Sequence, residues 1–294
     1  MKQKILFIIN PISGGKDKKK IPALIDTYLD KAKFDYRISF TERVEHAYML
    51  SKAALKEGYH IVVAVGGDGT VNEVAKGIVH TETILGIIPF GSGNGLARTL
   101  KIPLKSIGAI KNINNNYYTR IDSAKLNDRM FFNMAGSGFD AEISNEFAGD
   151  KKRGLLGYVR AAFQQIRNYK SKQYQLNIDG KIINRKAFIL SIANSSQYGN
   201  DAHIAPHADV KDGILDIVIV KPFHFIKLPL LAMYMFTNNA DKSSYIEYFK
   251  GKKILIEREY ADAIHLDGEP CFEQKELNIE VLPLSLNVIV PNYV

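Results

Sequence analysis

The chain has 294 residues, of which 46% are hydrophobic and 24% are charged, a composition that is typical of a folded protein with two domains and excludes a disordered chain. Its one cysteine, Cys271, excludes an intramolecular disulfide and a cysteine-rich zinc site, and it favours a reducing compartment. The formal net charge of +8 favours an anionic partner, and without a zinc knuckle, an RNP motif or a helix-turn-helix signal we do not expect nucleic acid.

The first predicted elements are a strand over Ile5–Ile9, a small-residue turn at residues 10–15 (NPISGG) and a helix. Five apolar residues are too few for the core of a signal peptide, so together with the single cysteine they lead us to expect a cytoplasmic protein. The lysines between residues 16 and 20 are most simply a solvated face. From Ile21 to Leu29 the apolar residues recur with the spacing of a helix.

A strand over Tyr36–Phe40 and a helix over Glu45–Lys56 precede the most informative stretch, IVVAVGGDGT at residues 61–70. It predicts a buried strand, a glycine-rich turn and a helix that begins near Thr70. Glycines let backbone N–H groups approach an anion, and the helix dipole adds positive potential, so phosphate is the expected guest. Asp68 would repel a phosphate unless a divalent cation lies between them, so we predict a nucleotide with Mg²⁺.

A fourth strand, Ile84–Ile88, ends in the turn PFGSGNG (residues 89–95), and a helix follows from Leu96. Strand and helix therefore alternate four times, which predicts a doubly wound parallel sheet whose strand-to-helix turns all lie at the carboxyl ends of the strands. Three of the four turns are rich in Gly, Ser and Asn, and this convergence favours a nucleotide site. The spacing at residues 66–70 matches neither the Rossmann nor the P-loop fingerprint, so a glycine-rich turn without a ligand stays an alternative.

After about residue 120 the pattern changes to short alternating strands, which predicts a mainly antiparallel β domain. Asp179 and Gly180 predict a hairpin turn within it. The strands are marked by Tyr174–Ile178, Ile254–Ile256, Ile264–Leu266 and Leu277–Val281.

Two predicted helices interrupt these strands. One, about Leu155–Tyr169, carries or follows a basic stripe, from which we predict reversible binding to anionic membranes, with a solvated helix face as the equal alternative. The stripe consists of Arg153, Arg160 and Arg167. The other helix, about Phe223–Phe236, is apolar nearly all round and too short to span a bilayer. We interpret it as a buried or domain-packing helix in preference to the wall of an acyl-chain pocket.

Five motifs follow one another along the chain. They are NPISG at 10–14, GGDGT at 66–70, PFGSGNGLAR at 89–98, KDGILD at 211–216 and LDGEP at 266–270. In this order and spacing they resemble the diacylglycerol kinase catalytic family, which includes bacterial lipid kinases and sphingosine kinases. The resemblance implies an N-terminal α/β nucleotide-binding domain like that of phosphofructokinase and NAD kinase, a C-terminal antiparallel β-sandwich domain for the lipid, and an active site in the cleft between them. We place the first domain at residues 1–122, joined by the tail 284–294, and the second at 123–283.

The resemblance also implies the activity, which is transfer of the γ-phosphate of ATP to a lipid hydroxyl with Mg²⁺. The lipid acceptor would lie at an anionic membrane surface, which makes the protein peripheral to the membrane, and a homodimer stays open. The residues that match the ATP site of the family are Asn10, Pro11, Ile12, Ser13, Gly14, Thr41, Gly66, Gly67, Asp68, Gly69, Thr70, Val71, Asn72 and Ser92.

Two further matches concern catalysis and metal binding. Glu269 matches the proposed proton acceptor of the family, and in bacterial members a structural Mg²⁺ lies at the segment that matches Asp209, Asp212 and Ile214, partly through backbone carbonyls. Asp68 is the rival base. Because a carboxylate engaged with Mg²⁺ accepts a proton poorly, we assign Asp68 to the metal and Glu269 to the hydroxyl.

Two departures from the family pattern matter. Gly95 stands where bacterial diacylglycerol kinases usually have Asp, and GSGNG is closer to the sphingosine kinase form, so a sphingoid-base kinase is an alternative. Glu45 stands where the family commonly has Gly, which we expect a helix to tolerate. NAD kinases also carry GGDGT, so an NAD kinase is a second alternative. A non-catalytic module that binds nucleotide or acidic lipid is the third.

Overall fold

The computed structural model describes residues 2–15, 18–147, 166 and 169–293. The chain forms two compact units. Unit 1 contains residues 1–121 and 284–294, and unit 2 contains residues 122–283. Among the described residues, no helix is long and apolar enough to cross a bilayer.

Unit 1 contains a parallel sheet. Its first four strands are β1 (Gln3–Ile9), β2 (Phe34–Phe40), β3 (Ile61–Gly66) and β4 (Ile84–Pro89). They lie in the order β2-β1-β3-β4, and the end of the last strand of the chain, β16 (Glu276–Ile289), pairs in parallel with β4 through Asn287 and Val288. Every residue of β3 and β4 is buried, which is why both sequences are continuous apolar runs rather than alternating patterns.

Five α-helices are described in unit 1 beside this sheet. They are α1 (Ile21–Tyr28), α2 (His46–Lys56), α3 (Asp68–Ile78), α4 (Gly95–Thr99) and α5 (Ser106–Asn115). The core joins the sheet to α1 and α5 through residues such as Phe7, Ile25 and Ile110. The predicted alternation of strand and helix is confirmed, and the corrections are local. Helix α3 begins at Asp68 rather than near Thr70, with Gly67 as its N-cap.

Glu45 corrects a second local expectation. It lies just before α2 in the left-handed backbone conformation, with φ of 64°, and is not inside a helix. This conformation favours glycine, which is the residue that the family pattern described above commonly has at this position. Glu45 is held by its partners, because its N–H donates to the Glu73 carboxylate and its own carboxylate pairs with Lys76 at 3.2 Å.

Unit 2 is built from two antiparallel sheets. The strands of the first are β7 (Met134–Gly138), β10 (Ile189–Ala193), β11 (Leu215–Val220), β12 (Ile246–Gly251), β14 (Asp262–Leu266) and β15 (Glu269–Glu273). Their order is β12-β11-β10-β7-β14-β15. The strands of the second are β6 (Arg129–Phe131), β8 (Lys172–Ile178), β9 (Lys181–Ala187), β13 (Lys253–Arg258), the part of β5 (Tyr118–Leu126) from residue 122 onward, and the first part of β16.

The two sheets of unit 2 share one core. Phe131, Leu176 and Ile256 enter it from the second sheet, and Ile217 and Ile264 enter it from the first. A core formed by the inner faces of two antiparallel sheets is that of a β sandwich, so the predicted fold class is confirmed. The predicted hairpin turn is also confirmed, because Ile178 pairs with Lys181 across residues 179 and 180.

Two α-helices are described in unit 2, α6 (Phe139–Phe147) and α7 (Leu228–Phe236), and no sequence pattern had indicated the first. The predicted helix over residues 155–169 lies outside the described residues except for Ile166 and Tyr169. The arginine stripe proposed along it (Arg153, Arg160, Arg167) lies outside them as well.

The interpretation of residues 223–236 as a buried or domain-packing helix holds for one side, where Leu231 is buried, and is wrong for the exposed side. Helix α7 starts only at Leu228, after a 3₁₀ turn at Phe225–Lys227, and Pro229 lies in its first turn, where the missing N–H costs nothing. Leu231 is the one buried residue of α7. The apolar composition therefore does not reflect burial on all sides.

Candidate active site

Three turns of unit 1 meet at the carboxyl ends of its parallel strands. The first turn (residues 10–15) follows β1, the second turn (66–70) joins β3 to α3, and the third turn (89–95) joins β4 to α4. The side-chain amide of Asn10 donates a hydrogen bond to the hydroxyl of Thr70 at 3.1 Å, which connects the first turn to the second. The carboxylate of Asp68 accepts the backbone N–H groups of Asn94 and Gly95, each at 2.9 Å, which ties the second turn to the third.

Glycines allow these turns to approach each other backbone to backbone. Gly14 has a φ of 64°, and a Cβ there would overlap the carbonyl of Phe90. A Cβ on Gly67 would lie 3.1 Å from the Cα of Gly91. The turns therefore present backbone rather than side chains, next to the N-terminus of α3, and this arrangement suits a phosphate group.

Gly14→Ala tests this close approach against a matched control, Gly58→Ala. Both glycines have positive φ, but nothing lies within 4 Å of a Cβ on Gly58. Gly58→Ala should lose about 1 kcal/mol of unfolding free energy, the cost of the left-handed backbone alone. Gly14→Ala should lose about 3 kcal/mol or more, because the Phe90 carbonyl must move, and should raise KM for ATP. Urea unfolding and kinetics measure both effects, and equal losses in the two variants would contradict the packing of the first turn against the third.

The other residues of the predicted ATP site lie around the same turns. Thr41 follows β2, is buried, and donates its N–H to the carbonyl of Ile9 at 2.9 Å. Ile12 and Ser92 are exposed in the first and third turns. The structure brings these residues to one edge of the sheet. The remaining residues of the predicted ATP site are Pro11 and Ser13 in the first turn, Gly66 at the end of β3, and Gly69, Val71 and Asn72 in α3.

Lys18 was missed, and the interpretation of its lysine run as a solvated face is wrong for this residue. Its side chain is only 3% exposed, donates to the carbonyl of Ser13, and lies 5.1 Å from the centre of the Phe90 ring. Lys19 and Lys20 are exposed as expected. A buried ammonium between the first and third turns favours an anionic ligand, and no signal in the sequence separates Lys18 from its neighbours.

The predicted catalytic carboxylate lies in unit 2. Asp267 and Gly268, both with positive φ, form the two-residue turn between β14 and β15, and Glu269 pairs with Leu266 as the first residue of β15. The side chain of Glu269 is exposed. Asp267 is buried, and its carboxylate anchors the turn by accepting backbone N–H groups at 2.8–3.0 Å. These donors belong to Phe132, Asn133 and Met134.

Asp267→Ala should destabilise unit 2, because it leaves the three backbone N–H groups without their acceptor. We expect a loss of roughly 3 kcal/mol in the unfolding free energy. The control is Asp128→Ala, which removes an exposed carboxylate that forms a long, 3.6 Å ion pair with Lys125, and it should change stability by less than about 0.5 kcal/mol. Urea unfolding monitored by circular dichroism compares the two, and a loss at Asp267 as small as the control would contradict the anchoring role.

The predicted metal segment forms tight turns before β11. The carboxylates of Asp209 and Asp212 accept the backbone N–H groups of Lys211 and Ile214, each at 3.0 Å, and Lys250 forms an ion pair with Asp212 at 3.4 Å. Within the described ranges, no group of three or more His, Cys, Asp or Glu side chains could hold a metal. The assignment of Asp209, Asp212 and Ile214 to a Mg²⁺ site stays a prediction that depends on backbone carbonyls.

Comparison with known proteins identifies the family to which this chain belongs. Residues 4–126 match the diacylglycerol kinase catalytic domain, and residues 133–290 match the YegS C-terminal NAD kinase beta sandwich-like domain. A protein of Chromohalobacter salexigens named "Probable lipid kinase YegS-like" is 31% identical over 248 residues, which are 82% of this chain and 79% of the relative. This chain belongs to the diacylglycerol kinase catalytic family. The resemblance drawn from the five motifs is therefore confirmed.

Two other members of the diacylglycerol kinase family extend the comparison. A diacylglycerol kinase of Staphylococcus aureus is 29% identical over 275 residues, 92% of this chain and 87% of the relative. The crystal structure of a candidate diacylglycerol kinase from Bacillus anthracis has a TM-score of 0.83 at 26% identity and covers 99% of this chain and 96% of its own. Membership of the family makes this chain a lipid kinase that uses ATP.

A polar network in unit 2 joins residues that no sequence motif connects. Asp140, at the start of α6, accepts a hydrogen bond from the hydroxyl of Tyr198 at 2.9 Å and lies 3.0 Å from Nε2 of His265 on β14. The hydroxyl groups of Tyr198 and Ser191 also form a hydrogen bond with each other. Since Asp140 and His265 are both buried, the network fixes the strand that leads into the Asp267 turn.

Proposed function

We propose that the protein transfers the γ-phosphate of ATP to the hydroxyl of diacylglycerol or a related lipid, giving a phosphatidate-type product. The observation that carries this proposal is the backbone cradle in which Asp68 joins the second turn to the third. Phosphoryl transfer needs mainly positioning and charge balance, which a cradle of backbone N–H groups and a Mg²⁺ ion held by the nearby carboxylate would supply. The relatives named diacylglycerol kinase support the choice of acceptor.

The nucleotide would bind through Asn10–Gly14, Thr41, Gly66–Asn72 and Ser92. The donor set fits Mg²⁺ that arrives with ATP, because a single carboxylate beside a phosphate cradle is enough when the phosphates provide the other ligands. Asp68 would hold this ion, which neutralises negative charge on the phosphates when bound. Lys18 and the N-terminus of α3 add positive potential at the same edge of the sheet.

The acceptor hydroxyl would give its proton to Glu269. An alcohol is a poor nucleophile until a base within hydrogen-bond reach takes its proton, and the exposed carboxylate of Glu269 is available for this role. The anchored turn before it restricts where the carboxylate can move. We further propose that Asp209, Asp212 and Ile214 hold a structural Mg²⁺ in unit 2, and that the protein works in the cytoplasm at an anionic membrane surface.

The test is transfer of phosphate from labelled ATP to a panel of acceptors. The panel contains diacylglycerol, monoacylglycerol, a sphingoid base, ceramide and NAD. We expect the highest kcat/KM with diacylglycerol. Preference for the sphingoid base would support the alternative suggested by Gly95, and preference for NAD would overturn the lipid acceptor altogether.

A further inference from the structure

Helix α7 and the 3₁₀ turn before it carry apolar side chains on two sides, and only one side packs on unit 2. Leu228, Leu231 and Met235, spaced by three or four residues, join a core cluster of this unit. The other side is exposed. Its members, which we call the apolar strip, are Phe225, Ile226, Leu230, Met233 and Phe236. The three on α7 recur every third residue and so lie along one side of the helix.

Exposure of this kind needs an apolar environment outside unit 2. A helix that is apolar all round is normally buried, yet Met233 and Phe236 on α7 are 51% and 49% exposed, and Ile226 in the 3₁₀ turn is 67% exposed. Five large apolar side chains within twelve residues form a concentrated patch, whereas single exposed hydrophobic residues need no explanation.

The charge around the apolar strip indicates what covers it. Residues 221–240 contain no Asp or Glu, but they include Lys221, His224 and Lys227. Lys221 forms a 3.7 Å ion pair with Glu247, whereas Lys227 lies exposed beside Ile226. Apolar side chains flanked by basic residues suit the interface of an anionic bilayer. A symmetric contact between two copies would bring the same basic residues together, which opposes self-association.

We propose that the apolar strip docks the protein on anionic lipid bilayers. Its side chains enter the region between head groups and acyl chains, and Lys227 and His224 face the lipid phosphates. This inference deepens the proposed function, because it gives a lipid kinase its route to an acceptor held in a membrane. Docking itself requires neither ATP nor turnover.

The test compares Ile226→Asp with Ile182→Asp. Ile182 is 62% exposed on β9 of the same unit, so the two variants make the same change at nearly equal exposure. Binding to vesicles of phosphatidylglycerol and phosphatidylcholine is measured by co-sedimentation without ATP. Wild-type protein and Ile182→Asp should bind equally, and Ile226→Asp should bind about tenfold more weakly or worse. Lys227→Glu should weaken binding and reduce its dependence on salt.

Turnover of a short-chain diacylglycerol dispersed in water separates docking from catalysis. Ile226→Asp should phosphorylate this acceptor at the wild-type rate and lose activity only against acceptor in vesicles. Unchanged vesicle binding by Ile226→Asp, or an equal loss in Ile182→Asp, would overturn docking. So would a dimer, seen by sedimentation, that depends on Ile226. An inactive wild-type protein that still binds vesicles through Ile226 would overturn the proposed function and leave docking in place.

Discussion

Glu269→Gln should lower kcat by about 10²–10⁴-fold, the range for loss of a general base, while KM for ATP changes little. The amide keeps the size of the side chain but cannot take the proton of the acceptor hydroxyl. Because the side chain of Glu269 is exposed and its pairing with Leu266 in the β ladder is made by the backbone, the fold should be unaffected. Steady-state kinetics with diacylglycerol measure kcat and the KM for ATP, and a thermal melt checks that the fold is unaffected.

The control for Glu269 is Glu257→Gln, the same chemical change at an exposed position on β13 of the same unit. It should leave kcat at the wild-type value. A Glu269→Gln enzyme that turns over normally would remove Glu269 from the mechanism. Loss of ATP binding, instead of a lower kcat, would show that the carboxylate serves the nucleotide.

Asp68→Ala should abolish measurable turnover, a loss of about 10³-fold or more, because it removes the carboxylate next to the phosphate cradle. The structure shows that this variant also loses the acceptor of the Asn94 and Gly95 N–H groups, so we expect it to cost about 1–3 kcal/mol of stability. Activity alone would therefore not separate metal binding from support of the third turn.

Asp68→Asn removes the charge of Asp68 but keeps one of the two oxygens that accept the N–H groups of Asn94 and Gly95, so it affects metal binding more than support of the third turn. The amide keeps one oxygen that can accept a backbone N–H but has no charge, so the Mg²⁺ concentration for half-maximal rate should rise by about tenfold or more at fixed ATP. Asp35→Asn, on the exposed side of β2, is the control and should change neither rate nor stability. An unchanged Mg²⁺ dependence in Asp68→Asn would refute the assignment of Asp68 to the metal.

The parallel sheet of unit 1 could be predicted because its signals are local. Strands buried on both faces, such as β3 and β4, are continuous apolar runs, and glycines lie at or within two residues of the end of each. Helix α7 shows the limit of such signals. Its composition predicts contact with apolar surroundings, but the choice between core and exterior depends on which side of the helix the rest of unit 2 leaves uncovered.

The residues of the candidate site also fall into those that local sequence signals indicated and those that they did not. The motif glycines were visible in the sequence because close approach of backbones requires glycine, as at Gly14. The burial of Lys18 and the pairing of Asp140 with His265 were not visible, since the first depends on a neighbouring turn and the second joins residues 125 positions apart. Contacts over such separations follow from the tertiary fold and leave no periodic pattern.

The return of the chain to unit 1 has a consequence for synthesis on the ribosome. Residues 1–121 are made before unit 2, but β4, which pairs with β3, receives its second neighbour only when Asn287 and Val288 of β16 have been made. Unit 2 is therefore made in full while the edge of β4 still lacks a partner. An unpaired edge next to fully buried strands invites pairing with other nascent chains, so stalled or truncated products that end before residue 284 should aggregate more readily than the released protein.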